Sequence, residues 1–303
     1  MATIPVIKKA YADTAYGQIH FRLALPLPTE TGTVNKGPER SPLVFLHKSA
    51  SSSASYEALM RRYAAQGYRC YAPDMPGFGG SFDPSESAVV EIQRDGTAWY
   101  ASVFLEAFKA MGIITSSSSS GEGGVKCHLM GHHSGAVLAV ELAARHPEMV
   151  QSICLVGPTV MSAEERAAMK TVYFAPFNEP VRDGSHLLKT WQYLEHMGVG
   201  EDLNLWQREA VDHIRAWRGR TLIYGAVWAQ DSERLYTEAQ CPVLLMCARD
   251  DALWKYFGHV RALKPDIEAV EIEGANFEPD RDVEGIEKAW TGFLDKSKGG
   301  SGL

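Results

Sequence analysis

Apolar positions gather into short unbroken runs along the 303-residue chain: PLVFLH (42–47), YRCYAPD (68–74), VKCHLMG (125–131), SICLVGP (152–158) and PVLLMCA (242–248). Runs of this length, rich in Val, Ile, Leu and Tyr, fit strands covered on both faces. Between them, apolar residues return at helical spacing over 54–66, 90–111, 136–145 and 285–294. Strands alternating with helices predict an α/β protein with a doubly wound, mostly parallel sheet. Near the start, Ile19, Phe21 and Leu23 alternate with polar neighbours, which predicts an edge hairpin.

Two segments break the rhythm. TSSSSSGEGG (115–124) is low in complexity and reads as a solvated surface loop. Residues 160–240 hold no core-strand run but many Trp, Tyr, Phe and Met, with the loop PFNEPVRDGSH among them. The expected division is a core of residues 1–159 and 241–303, with a helical cap at 160–240 inserted after a core strand. Most of those aromatics would serve equally well as the ordinary core of a helical subdomain.

Composition narrows the function classes. A net charge of −7 and a pI near 5.8 give no footprint for nucleic acid or an anionic membrane. No apolar run reaches the roughly 18 residues of a membrane span, and no leader-like segment stands at the start, so a cytoplasmic location is expected. Five cysteines without close pairs, four of them in strand-like runs, suggest buried free thiols. No CxxC or HxxxH spacing suggests zinc, and PGFGG lacks the spacing of a dinucleotide loop, so neither a metal nor a cofactor is expected.

The chemistry centres on MGHHSGAV, residues 130–137. A strand that turns sharply into a helix needs small residues two places before and two after its apex. Gly131 and Gly135 meet that requirement with His133 at the apex. Placing Ser134 there would put the large His132 in the crowded flank.

With these segments in order, the chain resembles the α/β-hydrolase superfamily over nearly its whole length. Residues 44–81, ending APDMPGFGGS, are similar to its first strand, oxyanion loop, helix and following turn. MGHHSGAVLAVELAARHPEMV is similar to its nucleophile elbow, PVLLMCARDDALW to the strand ending in the triad acid, and EIEGANFEPDRDVEGI to the last strand and histidine loop. The resemblance implies His133 in place of the elbow serine, Asp251 as the acid and Asn276 in place of the triad histidine. It also implies an oxyanion hole built from the backbone N–H groups of Ser134 and Ser49, although Lys48 stands where the family has glycine. Lys48, His186 and Trp191 are expected to touch substrate, whereas His196, His213 and His259 are not.

A neutral imidazole at the apex needs no separate base. It could attack a carbonyl, activate water or take a proton from carbon. Three functions follow for a small-molecule ligand with apolar or aromatic bulk. One is a cofactor-independent hydrolase of an ester, lactone or related acyl bond. The second is a lyase, isomerase or cyclase using His133 as base, and the third is a non-catalytic binding protein on the same fold.

Overall fold

The computed structural model describes residues 4–27, 40–114, 125–173 and 177–299. In chain order, β1 (Lys8–Thr14), β2 (Gly17–Ala24), β3 (Leu43–Leu46), α1 (Glu57–Ala65), β4 (Cys70–Pro73), α2 (Glu86–Asp95), α3 (Thr97–Ala110), β5 (Cys127–His132), α4 (Ser134–Arg145) and β6 (Val150–Val156) form the first half. Among the described residues, five helices follow without a strand: α5 (Ala163–Tyr173), α6 (Ser185–His196), α7 (Leu203–Arg215), α8 (Trp217–Ala229) and α9 (Ser232–Glu238). The chain then returns to the sheet with β7 (Val243–Ala248), α10 (Trp254–Leu263), β8 (Glu268–Ile272), α11 (Glu278–Arg281) and α12 (Val283–Gly299).

Among the described residues, eight strands form one sheet in the order β1-β2-β4-β3-β5-β6-β7-β8. Pairing is antiparallel from β1 to β2 and from β2 to β4, and parallel elsewhere. The apolar runs fill both faces because successive side chains alternate across a strand. Leu43, Phe45, Met130, Leu244 and Met246 pack with Tyr63 of α1 and Trp290 of α12. Val44, Leu46, Leu129, Leu245 and Cys247 face the opposite layer, which includes Phe104 of α3, Leu138 of α4 and Val260 of α10. Four of the five cysteines, Cys70, Cys127, Cys154 and Cys247, are free and buried.

The single helix expected over 90–111 is instead two, α2 and α3. Gly96 separates them at φ 60° and ψ −133°, a conformation open mainly to glycine. Apolar periodicity runs through the break because both halves pack on the same core. The Ser-rich run 115–124 lies outside the described residues.

The fold places chemistry at one edge of the sheet. The connection from β3 leads to β4 on one side, while β5 lies on its other side. In open α/β sheets, the crevice beyond the strand ends at such a reversal is where ligands bind. The turns after β3, β5, β6 and β7 all open there.

Candidate active site

His133 occupies the turn between β5 and α4 with φ 47° and ψ −112°. A positive φ at a residue with a large side chain is strained and marks a site held by its surroundings. Gly131 and Gly135 are what allow it. A Cβ on Gly131 would lie 2.3 Å from the carbonyl oxygen of Gly135, and one on Gly135 would lie 2.0 Å from that of Leu46. The apex is therefore His133, with Ser134 as the first residue of α4.

From the apex, the imidazole reaches across to the turn after β7. Its Nε2 lies 2.6 Å from Oδ2 of Asp251. The ring passes over Gly157, at the end of β6, where a Cβ would meet His133 Cδ2 at 2.3 Å and Nε2 at 2.5 Å. Sequence reasoning did not single out Gly157. Its signal was the glycine, at φ 54°, just before the proline that closes SICLVGP.

The acid is well anchored. Oδ1 of Asp251 accepts a hydrogen bond from the Leu253 N–H at 2.5 Å, while the neighbouring Asp250 accepts from the Ala275 N–H at 3.1 Å. Burial works to raise the Asp251 pKa. The charge and hydrogen bond of His133, aided by hydrogen bonds from Glu278 and the Leu253 N–H, outweigh it and hold the carboxyl below its ordinary value. Behind it lies Glu278, wholly buried. Burial, and then the Asp251 charge, push Glu278 well above the usual carboxylate range. Nε2 of His132 lies 2.9 Å from Oε2 of Glu278. His132, His133, Asp251 and Glu278 each offer one ligand atom, and those atoms lie within 4.8 Å of one another.

Asn276 does not orient the His133 ring. Its Oδ1 accepts from the Ala252 N–H at 3.3 Å and its Nδ2 donates to the Met197 carbonyl at 2.9 Å. It thus ties the acid turn to the segment after α6 and lines the pocket beside Asp251's turn. Ser49 and Ser134 do meet: the Ser49 N–H donates to Ser134 Oγ at 2.7 Å.

Lys48 is buried at the pocket wall. Its Nζ donates to Ser51 Oγ at 2.9 Å and to Oε2 of Glu209 at 3.0 Å, and lies 4.1 Å from the centre of the Phe277 ring. Glu209 belongs to α7, and its other oxygen accepts from Arg208, which also forms two hydrogen bonds with Asp280 of α11. The inserted helices are therefore clamped to the loop after β3 and to α11 by buried charges.

The pocket has His133 and Ser134 on its floor, with Met169, Tyr193, Tyr224 and Trp228 among its apolar lining. Two expected substrate contacts lie elsewhere. Trp191 stacks on Trp206 at 4.7 Å in a satellite core of the inserted helices, and the half-buried His186 accepts a hydrogen bond from the Val181 N–H. Both sit on the turn-to-helix stretch that looked like a pocket rim, but α6 directs Trp191 into its packing with α7. His213, set aside in the sequence, does line the pocket. Its Nδ1 donates to the Glu209 carbonyl at 2.8 Å, and burial together with the Lys48 charge lowers its pKa to about 4. Its signal was its place four residues after Glu209 on one helix face. His259 pairs with Glu233, away from the pocket.

Comparison with known proteins agrees with the fold. A family model described as "Alpha/beta hydrolase family" matches residues 43–280. Over 150 residues the chain is 30% identical to an Oryza sativa subsp. japonica protein named "Probable 1-acylglycerol-3-phosphate O-acyltransferase", covering 48% of this chain and 32% of that one. It is 25% identical over 185 residues to the pimeloyl-[acyl-carrier protein] methyl ester esterase of Aeromonas hydrophila, covering 60% and 61% of the two chains. The chain thus spans less than two thirds of either relative. The crystal structure of the enol-lactonase from Burkholderia xenovorans superposes with a TM-score of 0.66 at 17% identity, covering 94% of this chain and all of that one. Among the described residues, no helix is long and apolar enough to cross a membrane.

Proposed function

The chain belongs to the alpha/beta hydrolase family, and from that premise we propose that it hydrolyses an ester, lactone or related acyl bond of a largely apolar small molecule. The observation that carries this reading is the 2.6 Å pair of His133 Nε2 and the buried Asp251 Oδ2, with His133 lining an apolar pocket. The inserted helices α5–α9 act as the cap over that pocket.

In this mechanism the His133 Nε2–H donates to Asp251, which leaves the lone pair on Nδ1. Nδ1 adjoins the side-chain stem and is crowded for acyl transfer, but it is free to take a proton from a water molecule. His133 is therefore the general base, and Asp251 stabilises the imidazolium that forms. The water oxygen adds to the carbonyl carbon. The resulting oxyanion accepts from the N–H groups of Ser134, at the N-terminus of α4, and Ser49. For Ser49 to donate, Ser134 Oγ must turn away from the position it takes at 2.7 Å. Collapse of the intermediate expels the alkoxide, which recovers the proton from Nδ1. Asn276 holds the acid turn, and Lys48 fixes the loop after β3.

Relatives named for ester and lactone chemistry support an acyl substrate. The test is a panel of aryl esters and lactones turned over in heavy-oxygen water. Incorporation of one heavy oxygen into the acid product supports hydrolysis. A product formed without that label would move His133 to proton transfer on carbon, the chemistry of a lyase or isomerase.

A further inference from the structure

We propose that His132, His133, Asp251 and Glu278 form a closed, four-ligand site for one divalent transition-metal cation of the zinc type, directly beneath the pocket floor. The four donors come from three separate segments: the end of β5 with its turn, the turn after β7, and the first residue of α11. No local spacing motif could reveal such a set. Adjacent strand residues ordinarily face opposite ways. Here the positive φ at His133 swings the second ring back, and the two imidazoles lie 4.4 Å apart between centroids.

Unmet bonding points to a ligand. Among the described residues, His132 Nε2 is buried with no aligned hydrogen bond, and the buried Glu278 carboxyl has Asp251 as its only side-chain hydrogen-bond partner. His132 is 1% exposed and Glu278 0%. The 2.9 Å approach of His132 Nε2 to Glu278 Oε2 is close in distance but lacks hydrogen-bond direction. Buried polar atoms normally find partners, and an exception signals an ion, a water or a function. Two carboxyl groups and two imidazoles also match the chemistry of a borderline metal, with the cation taking the place of the proton that Glu278 otherwise holds.

The geometry is near that of a loaded site. Metal–ligand bonds of about 2.0–2.2 Å in a tetrahedron place ligand atoms about 3.4 Å apart. The two close pairs, at 2.6 and 2.9 Å, need to spread by under about 1 Å, and the widest separation of up to 4.8 Å needs to contract.

Four protein ligands leave no open position for a catalytic water. Coordination through Nε2 also places the remaining His133 proton on Nδ1, which removes the lone pair facing the pocket. If the proposed hydrolase chemistry holds, the cation is an inhibitor of it. That consequence rests on the hydrolase reading, whereas the binding itself does not.

The test is calorimetric titration of the chelator-treated, full-length chain with zinc chloride, without substrate. Wild type should bind one equivalent and melt at a higher temperature. Glu278→Gln and His132→Gln, each checked for a native circular-dichroism spectrum, should bind about 100-fold more weakly or worse, beyond the usual effect of losing an outer-shell partner. Cobalt(II) titration of wild type covers the case in which a variant misfolds: strong visible bands of a tetrahedral site are expected. Absence of stoichiometric zinc binding, equal affinity in folded variants, or only weak octahedral cobalt bands would overturn the site. Binding without esterase activity would leave the site standing and remove only its inhibitory role.

Discussion

Gly157 provides the space through which the His133 imidazole reaches Asp251: a Cβ there would stand 2.3 Å from His133 Cδ2 and 3.1 Å from Asp251 Oδ2. The contact is with the stiff, central part of the pair, so neither group can yield without breaking the 2.6 Å bond. Gly157→Ala should therefore displace the ring and lower kcat/KM by about 10²-fold, the scale expected for an ångström-sized misplacement. The φ of 54° adds a backbone cost of about 1–2 kcal/mol, which urea denaturation should register. Activity within twofold of wild type would mean that the His133–Asp251 contact is not needed.

Asn276 stands beside Asp251's turn, where the family resemblance expects a histidine. Combining His133→Ser with Asn276→His should return a serine to the apex and let the new imidazole use the space above Gly157. The double variant is expected to react with a serine-directed phosphonate, while wild type is not. Mass spectrometry locates the adduct. Labelling of Ser134 in wild type would contradict His133 as the apex group.

The clamp between Lys48 and Glu209 is buried, with Glu209 wholly so and Lys48 reaching the pocket wall. Breaking a buried pair from one side strands the other charge, at a cost of about 3–5 kcal/mol. Glu209→Gln should lower stability by that order, as urea denaturation would show. It should also raise KM more than it lowers kcat, because Lys48 anchors the pocket wall.

Asp212 bonds to Ser52 at 2.8 Å, and burial followed by repulsion from Glu209 raises its pKa to about 7. Its ordinary value is 3.8, so between these values the folded chain keeps a proton that the unfolded chain has lost. Stability from this group is accordingly greatest at low pH, falls as pH rises through that window, and levels off above about pH 7. Asp212→Asn should match wild type near pH 4 and exceed it near pH 8 by roughly 1–3 kcal/mol in urea denaturation, a figure reduced for partial solvent access. A pH-independent difference would remove Asp212 as the titrating group.

The sheet was legible because its parallel strands are buried on both faces and so read as unbroken apolar runs. The break at Gly96 was not, because packing on one core preserves the helical period on either side. The Gly131–Gly135 spacing identified the apex, since only small residues tolerate approaches of 2.0–2.3 Å. Glu278 stayed hidden because its approach to His132 and Asp251 is long-range and leaves no local pattern, while the glycine at Gly157 and the i, i+4 spacing of Glu209 and His213 are local signals too common to stand out alone. Trp191 and His186 misled because aromatic and polar residues near a turn suit a pocket rim and a satellite core equally.

The most direct test of His133 as the reacting base is turnover of the best aryl-ester substrate by His133→Ala, with and without added imidazole. Loss of a positioned base costs about 10²–10⁴-fold. The variant should lose kcat/KM on that scale and regain part of it, in proportion to free imidazole, as the small base occupies the vacated space beside Asp251. Turnover by His133→Ala equal to that of wild type would contradict the account.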